Sequence, residues 1–194
     1  MRKFLIILLF FNINFFNVFA IEADIFVQST VNRASQILAK NISQEEKINE
    51  LKIIAKETVD IRGVGFYSLG AARKNLNEDQ KQEYLSLFES YFLKSFSSRL
   101  VDYSDPKINI VSQKKINDRY TIVSTVLEAT SKNPELKIDW RIYTKQPDRP
   151  LIRDLIVEGL SLARTQKEEF ASILISNNND IKILISKLEE FVLE

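Results

Sequence analysis

The chain has 194 residues, with 27 Lys and Arg against 26 Asp and Glu, 45% hydrophobic and 27% charged residues, and neither Cys nor His. Such a composition excludes a disordered chain, a fibrous repeat and a polytopic membrane protein. The two missing residue types exclude disulfides, thiolate nucleophiles and Cys metal sites, together with the usual general base and the commonest metal ligand. An enzyme built from this chain would be confined to carboxylate, Lys, Tyr or Ser chemistry.

Arg2 and Lys3 precede an unbroken apolar run from Phe4 to Phe11, which Ile13, Phe15, Phe16, Val18 and Phe19 continue between asparagines. Val18-Phe19-Ala20 places small residues at −3 and −1 of a cleavage site. The pattern predicts a secretory signal peptide over 1–20 and a mature domain over 21–194. Asn12, Asn14 and Asn17 interrupt the run short of the ~18 apolar residues that a membrane span needs. Without residues 1–20 the chain holds 25 Lys and Arg against 26 Asp and Glu, a formal charge of −1. No basic excess or stripe is apparent, so nucleic acid is not expected as a partner. An exported, Cys-free, nearly neutral domain points to a bacterial-type periplasm.

The first mature stretch, 22–103, is predicted helical. Ser43-Gln44-Glu45-Glu46 spells a capping box, after which Ile48, Leu51, Ala55 and Val59 recur at helical spacing. Gly63, Gly65 and Gly70 are three of only four glycines in the chain, marking close backbone packing or a break between helices. Asn77-Glu78-Asp79-Gln80 supplies a cap and first-turn acid for a helix running to about Val101. The stretch 106–158 is predicted as a four-stranded antiparallel meander. Turn signals fall at Asn117-Asp118, Ser131–Pro134 and Gln146–Pro150. They separate a β-branched run from Tyr120 to Ala129, a period-two segment in which Leu136, Ile138, Trp140 and Ile142 alternate with polar residues, and a last strand from Leu151 to Glu158. Helices return over 161–193, broken at Asn177–Asp180. This order predicts an α+β fold with the helices on one face of the sheet.

Tyr84, Phe88, Tyr91, Phe92, Phe96 and Leu100 share one side of the helix that starts at Asn77. They form either core or one wall of an apolar cavity whose other wall is Ile138, Trp140 and Ile142. Gly63-Val64-Gly65-Phe66 lacks the strand and third glycine of a dinucleotide fingerprint. Asp139, Asp154 and Glu158 are strand carboxylates that would serve a cone-fold enzyme as acid and base, or else face solvent and pair with Arg141 and Arg153. Arg62, Arg73, Arg99 and Arg141 carry the guanidinium fork that matches a lipid phosphate, or are solvated surface.

Val59-Asp60-Ile61-Arg62, Ser68-Leu69-Gly70, the aromatic-rich segment Asn77–Tyr103, the strand-to-helix stretch Arg153–Leu162 (RDLIVEGLSL) and Glu168–Leu174 occur in an order similar to that of the MlaC family. These are the periplasmic phospholipid-binding components of the Mla lipid transport pathway, or toluene-tolerance auxiliary family. The resemblance spans nearly all of 22–193. Trp140 stands where the family often has Tyr, and Val59 where Phe is usual. It implies a nuclear-transport-factor-like cone with an extra helical subdomain and an apolar pocket for phospholipid acyl chains. It implies no catalysis and no cofactor. The implied partners are an inner-membrane ABC transporter complex with a substrate-binding ring and an outer-membrane lipoprotein–porin complex. On this reading the walls are Val64, Phe66 and Leu69 from the glycine-rich segment, Phe88, Phe92 and Phe96 from the long helix, Val126, Trp140, Ile142, Leu155 and Val157 from the sheet, and Leu162 after it. Arg62, Arg99 and Arg141 would meet the headgroup. The alternatives are a carrier of another lipid, such as a hopanoid, an enzyme using Asp139 or Asp154, and a chaperone-like carrier of lipoproteins.

Overall fold

The computed structural model describes residues 21–103, 106–130 and 134–194; the leader expected over 1–20 lies outside the described residues. Among the described residues four helices come first: α1 (Ala23–Ala39), α2 (Gln44–Thr58), α3 (Ile61–Ser68) and, after a short 3-10 turn at Ala72–Lys74, the 23-residue α4 (Glu78–Leu100). Their starts follow from local chemistry. Glu46 N–H donates to the Ser43 hydroxyl, and the Glu46 carboxylate accepts from Ser43 N–H, closing the expected capping box. Asn77 and Gln80 close a second box at the head of α4. Asp60 caps α3 by accepting from Gly63 N–H at 2.8 Å.

The sheet has five strands in the order β1 (Ile108–Asn117), β2 (Tyr120–Leu127), β3 (Leu136–Tyr143), β4 (Leu151–Val157) and β5 (Leu160–Ser161), each antiparallel to the next. Four strands are expected from the sequence; the fifth is the correction. The chain turns at Glu158 and Gly159, both at positive φ, and Leu160–Ser161 then pair back on Val157 and Ile156. Two residues are too few to register as a period-two pattern. Helices α5 (Leu162–Ser176) and α6 (Ile181–Leu193) complete the chain, broken where expected at Asn177–Asp180.

Register sorts the sheet into two faces. Val123, Trp140 and Leu155 are successive partners across β2, β3 and β4 and stand in one row. Ile122, Arg141 and Asp154 form the adjacent row, which points the other way. Val123, Thr125, Trp140 and Ile142 are buried on the first face. The Trp140 indole N–H donates to the Thr125 hydroxyl at 2.9 Å, and that hydroxyl donates to the Ile138 carbonyl at 3.1 Å, so the buried polar atoms are partnered. Helix α1 lies against β1 and β2, and α3 and α5 lie against β4. Helix α4 packs chiefly on α2, α3 and α6 rather than on the sheet. A separate small core joins Ile37 and Leu38 of α1 to Leu51 and Ile54 of α2, with Leu100 and Tyr103 against it.

Tyr84 of α4 is fully buried and donates to the Gly65 carbonyl at 3.1 Å. Burial foremost, and the neighbouring Tyr91 phenol second, push its ionisation far above the ordinary tyrosine range. The neutral phenol is therefore the form the fold holds. Its contribution to stability is whole below the unfolded value of about 10 and is lost as pH rises beyond it. Urea unfolding between pH 7 and 11 should show stability falling above about pH 10. Tyr84→Phe should lose about 1 kcal/mol at neutral pH and flatten that alkaline fall; an unchanged alkaline profile would show that Tyr84 ionises freely.

Candidate functional site

The long aromatic stripe of α4 follows from its spacing. Tyr84, Phe88, Phe92 and Phe96 succeed one another four residues apart, and their ring centroids lie 5.7, 6.3 and 5.6 Å from neighbour to neighbour. The lower half of this ladder is core: Tyr84 and Phe88 are buried, with Phe170 of α5 edge-on to both. Phe92 and Phe96 are stacked at an interplanar angle of 9° and only half-buried. Ile138 and Leu155 of the sheet, and Ile173 of α5, are likewise half-buried apolar side chains packed against the principal core.

The remaining expected wall residues are distributed as follows. Val64 and Leu69 are buried on α3 and at its end, and Phe66 is half-buried beneath the Arg62 guanidinium, 5.1 Å from its ring centroid. Trp140 and Ile142 are buried on the first sheet face. Val157 is half-buried on that same face, as the partner of Ile138. Val126 is half-buried and belongs to the opposite row, because the buried Thr125 beside it takes the first face. Leu162, at the head of α5, is exposed.

A cleft of about 430 Å³ opens on the second face of the sheet. Gly63, Val64 and Tyr67 of α3 form one side, and Ile116, Asn117, Tyr120 and Ile122 of the β1–β2 hairpin form the other. Arg141, Arg153, Asp154 and Ala163 complete its lining. Of the residues singled out in the sequence, Val64, Arg141 and Asp154 meet here. Tyr67, Ile116, Tyr120, Ile122 and Arg153 join them without having been singled out for a binding role. The signal for Ile116, Tyr120 and Ile122 was the Asn117-Asp118 turn, which folds the flanking residues onto one another.

The polar side of the cleft is a tied network. Asp154 is buried and accepts from the Ser161 hydroxyl at 2.7 Å and from Ala163 N–H at 3.0 Å, so it anchors the start of α5. Arg141 Nη1 lies 3.8 Å from Oδ2, the oxygen that also accepts from Ser161. Arg153 pairs with Asp60 at the head of α3, donates to the Tyr120 hydroxyl at 3.2 Å and lies 4.3 Å from the Tyr143 ring centroid. One side chain thus links α3, β2 and β3. Asp139, the partner of Ile156 on β4, is half-buried in the same row family as Arg141.

The three arginines expected to meet a headgroup do not converge. Arg141 lines the cleft. Arg62 lies near Glu78 at the start of α4; Lys81 foremost, with Arg62 behind it, holds that carboxyl below its usual range. Arg99 is in the last turn of α4, about 30 Å further along the helix axis. Among the described residues no cluster of acidic side chains is arranged to hold a metal ion, and no helix is long and apolar enough to cross a membrane.

The model of the MlaC protein family matches residues 28–190. The chain belongs to the MlaC family. The intermembrane phospholipid transport system binding protein MlaC of Haemophilus influenzae is 24% identical over 163 residues, covering 80% of this chain and 75% of that protein. The fold matches that of a phospholipid-binding protein from Ralstonia solanacearum, solved in complex with a phospholipid, with a TM-score of 0.76 and 16% identity over 89% of this chain and 98% of that one.

The Arg153–Asp60 pair yields a direct test of how the cleft is held. Its two side chains are 33% and 17% exposed, so truncation should cost less than the 3–5 kcal/mol of a fully buried pair. Arg153→Ala and Asp60→Ala should each destabilise by about 1–2 kcal/mol in urea unfolding, and the double variant should fall short of their sum. Additive losses would show that the pair is not coupled.

Proposed function

We propose that this protein is a periplasmic phospholipid carrier that encloses acyl chains in an apolar cavity and shuttles lipid between the inner and outer membranes. Membership of the MlaC family across residues 28–190 carries this reading. A relative in that family is named for intermembrane phospholipid transport. The half-buried portion of the aromatic ladder supports it: Phe92 and Phe96, with Ile138, Leu155 and Ile173, are apolar groups left incompletely covered around the principal core. Helix α4 leans on other helices rather than on the sheet, and on this reading the acyl chains would part the two.

The physical task suits such a cavity. Each methylene removed from water is worth about 0.8 kcal/mol, so two acyl chains are held without covalent chemistry. The proposed walls are Val64, Phe66, Leu69, Phe88, Phe92, Phe96, Trp140, Ile142, Leu155 and Val157; Val126, on the opposite face, and the exposed Leu162 are left out, and of Arg62, Arg99 and Arg141 the proposed headgroup contact is Arg141, at the cleft. We read the chain as a carrier and not a catalyst: both oxygens of Asp154 are engaged by the start of α5. Residues 1–20 are the cleaved export signal on this reading. Release requires a partner that favours an emptied state, and the proposed partners are an inner-membrane ABC transporter complex with a substrate-binding ring and an outer-membrane lipoprotein–porin complex.

Native mass spectrometry of the protein purified after export, followed by solvent extraction, tests the reading. Added mass matching diacyl phospholipid is the expected result. A protein that is empty and also refuses added phospholipid would overturn it, and a bound hopanoid would correct the cargo. Phe92→Glu combined with Phe96→Glu, at half-buried positions where folding should survive, should reduce the lipid load by at least tenfold, as about 1.4 kcal/mol or more of lost transfer energy requires.

A further inference from the structure

We propose that the two lips of the cleft form a docking surface for an anionic lipid bilayer. The near-zero net charge conceals an uneven distribution. Residues 106–157, which hold the first four strands, carry ten Lys and Arg against six Asp and Glu, whereas 21–105 and 158–194 together carry 15 against 20. The sheet end is therefore cationic and the helical remainder anionic.

At the cleft this cationic end is also apolar. The first lip is the tip of the β1–β2 hairpin, on the edge strand of the sheet, where Ile116 is 52% exposed. Lys114, Lys115 and Arg119 stand exposed beside it, with Asp118 pairing Lys115 at 3.0 Å. The second lip is Tyr67, 42% exposed, with the Lys167 ammonium 5.3 Å from its ring centroid. Leu162, 39% exposed, and the exposed Arg164 lie at the head of α5 next to the cleft residue Ala163. Both lips thus present a large apolar side chain flanked by cations.

That pairing fits a bilayer interface. Apolar tips enter the boundary between headgroups and acyl chains, tyrosine suits a site wet at one end, and lysine stems lie along apolar surface while the ammonium reaches phosphate. Each basic residue near an anionic leaflet contributes about 1 kcal/mol. Edge-strand lysines alone are accounted for as guards against strand addition. That role explains neither the exposed Ile116 between them and the cleft nor the matching cation-and-aromatic lip on α3 and α5. The inference builds on the carrier reading only for its purpose, to bring the carrier to a membrane.

The test is vesicle co-sedimentation of the exported, purified protein, with native mass spectrometry of bound lipid on the same preparations. Binding to mixed phosphatidylcholine–phosphatidylglycerol vesicles should exceed binding to pure phosphatidylcholine and weaken as salt is raised. Lys114→Glu combined with Lys115→Glu should lose at least about tenfold in vesicle affinity while keeping the wild-type lipid load. Ile116→Ser should weaken binding at high salt, where the charge contribution is screened. Equal binding to both vesicle types, wild-type binding by the double Lys variant, or no vesicle binding in a protein carrying its normal lipid load would each overturn the proposal. Vesicle binding by a protein that never carries lipid would uphold the docking surface and sink the carrier reading instead.

Discussion

The contact between Gly65 of α3 and the aromatic face of α4 fixes how the rest of the molecule is arranged. A Cβ at Gly65 would stand 2.8 Å from the Phe88 ring, a distance that side chains do not tolerate, so only glycine lets the two helices approach this closely. The approach lets the Tyr84 hydroxyl reach the Gly65 carbonyl. Phe170 of α5 then packs edge-on against Tyr84 and Phe88, the offset arrangement that ring quadrupoles favour. One end of α4 is thereby clamped to α3 and α5, which are themselves seated on β4. The other end packs on α2 and α6, and its rings pass from buried to half-buried along the helix.

A second constraint joins the helices to the sheet through charge. Asp60 begins α3, and Asp154 receives the start of α5; each carboxylate accepts from a backbone N–H of the helix it serves. Arg153 and Arg141 balance them from the same sheet face. Carboxylates at helix starts are stabilised by the unpaired amides there, and the two arginines reduce what burial of the acids would cost. Val59 bridges to Ile152 in parallel just before Asp60, so the edge of β4 also sets where α3 begins. The cleft is the space left between these tied elements and the β1–β2 hairpin.

Two surfaces with different chemistry result. The half-buried rings of α4 and the first sheet face offer apolar contact, which favours long hydrocarbon chains. The cleft on the second face offers guanidinium, phenol and aliphatic groups together, with exposed cations around its mouth. A carrier of amphiphiles needs both kinds of surface: one that competes with a membrane interior for acyl chains, and one that meets the membrane from water.

The sequence by itself determined the local events and the broad architecture. Ser43, Glu46, Asn77 and Gln80 are close in the chain, so their capping boxes follow from short-range geometry, and so does the break at Asn177–Asp180. Period-two alternation around Trp140 placed β3 and its faces, and the i, i+4 aromatic ladder of α4 was complete before any contact was known. The family, too, is written in residue order, from Val59-Asp60 to the RDLIVEG stretch. Only the tertiary structure decided what depends on distant partners. The fifth strand exists because two residues find the free edge of β4 after a turn at positive φ. Arg153 becomes a hub because Asp60, Tyr120 and Tyr143 arrive from three separate elements. Arg62, Arg99 and Arg141 look alike in sequence, yet lie at separate places because a 23-residue helix holds two of them apart. The degree to which each ladder ring is covered was equally beyond the sequence, since spacing fixes which side of a helix a residue takes, while burial is set by whatever element comes to lie across from it.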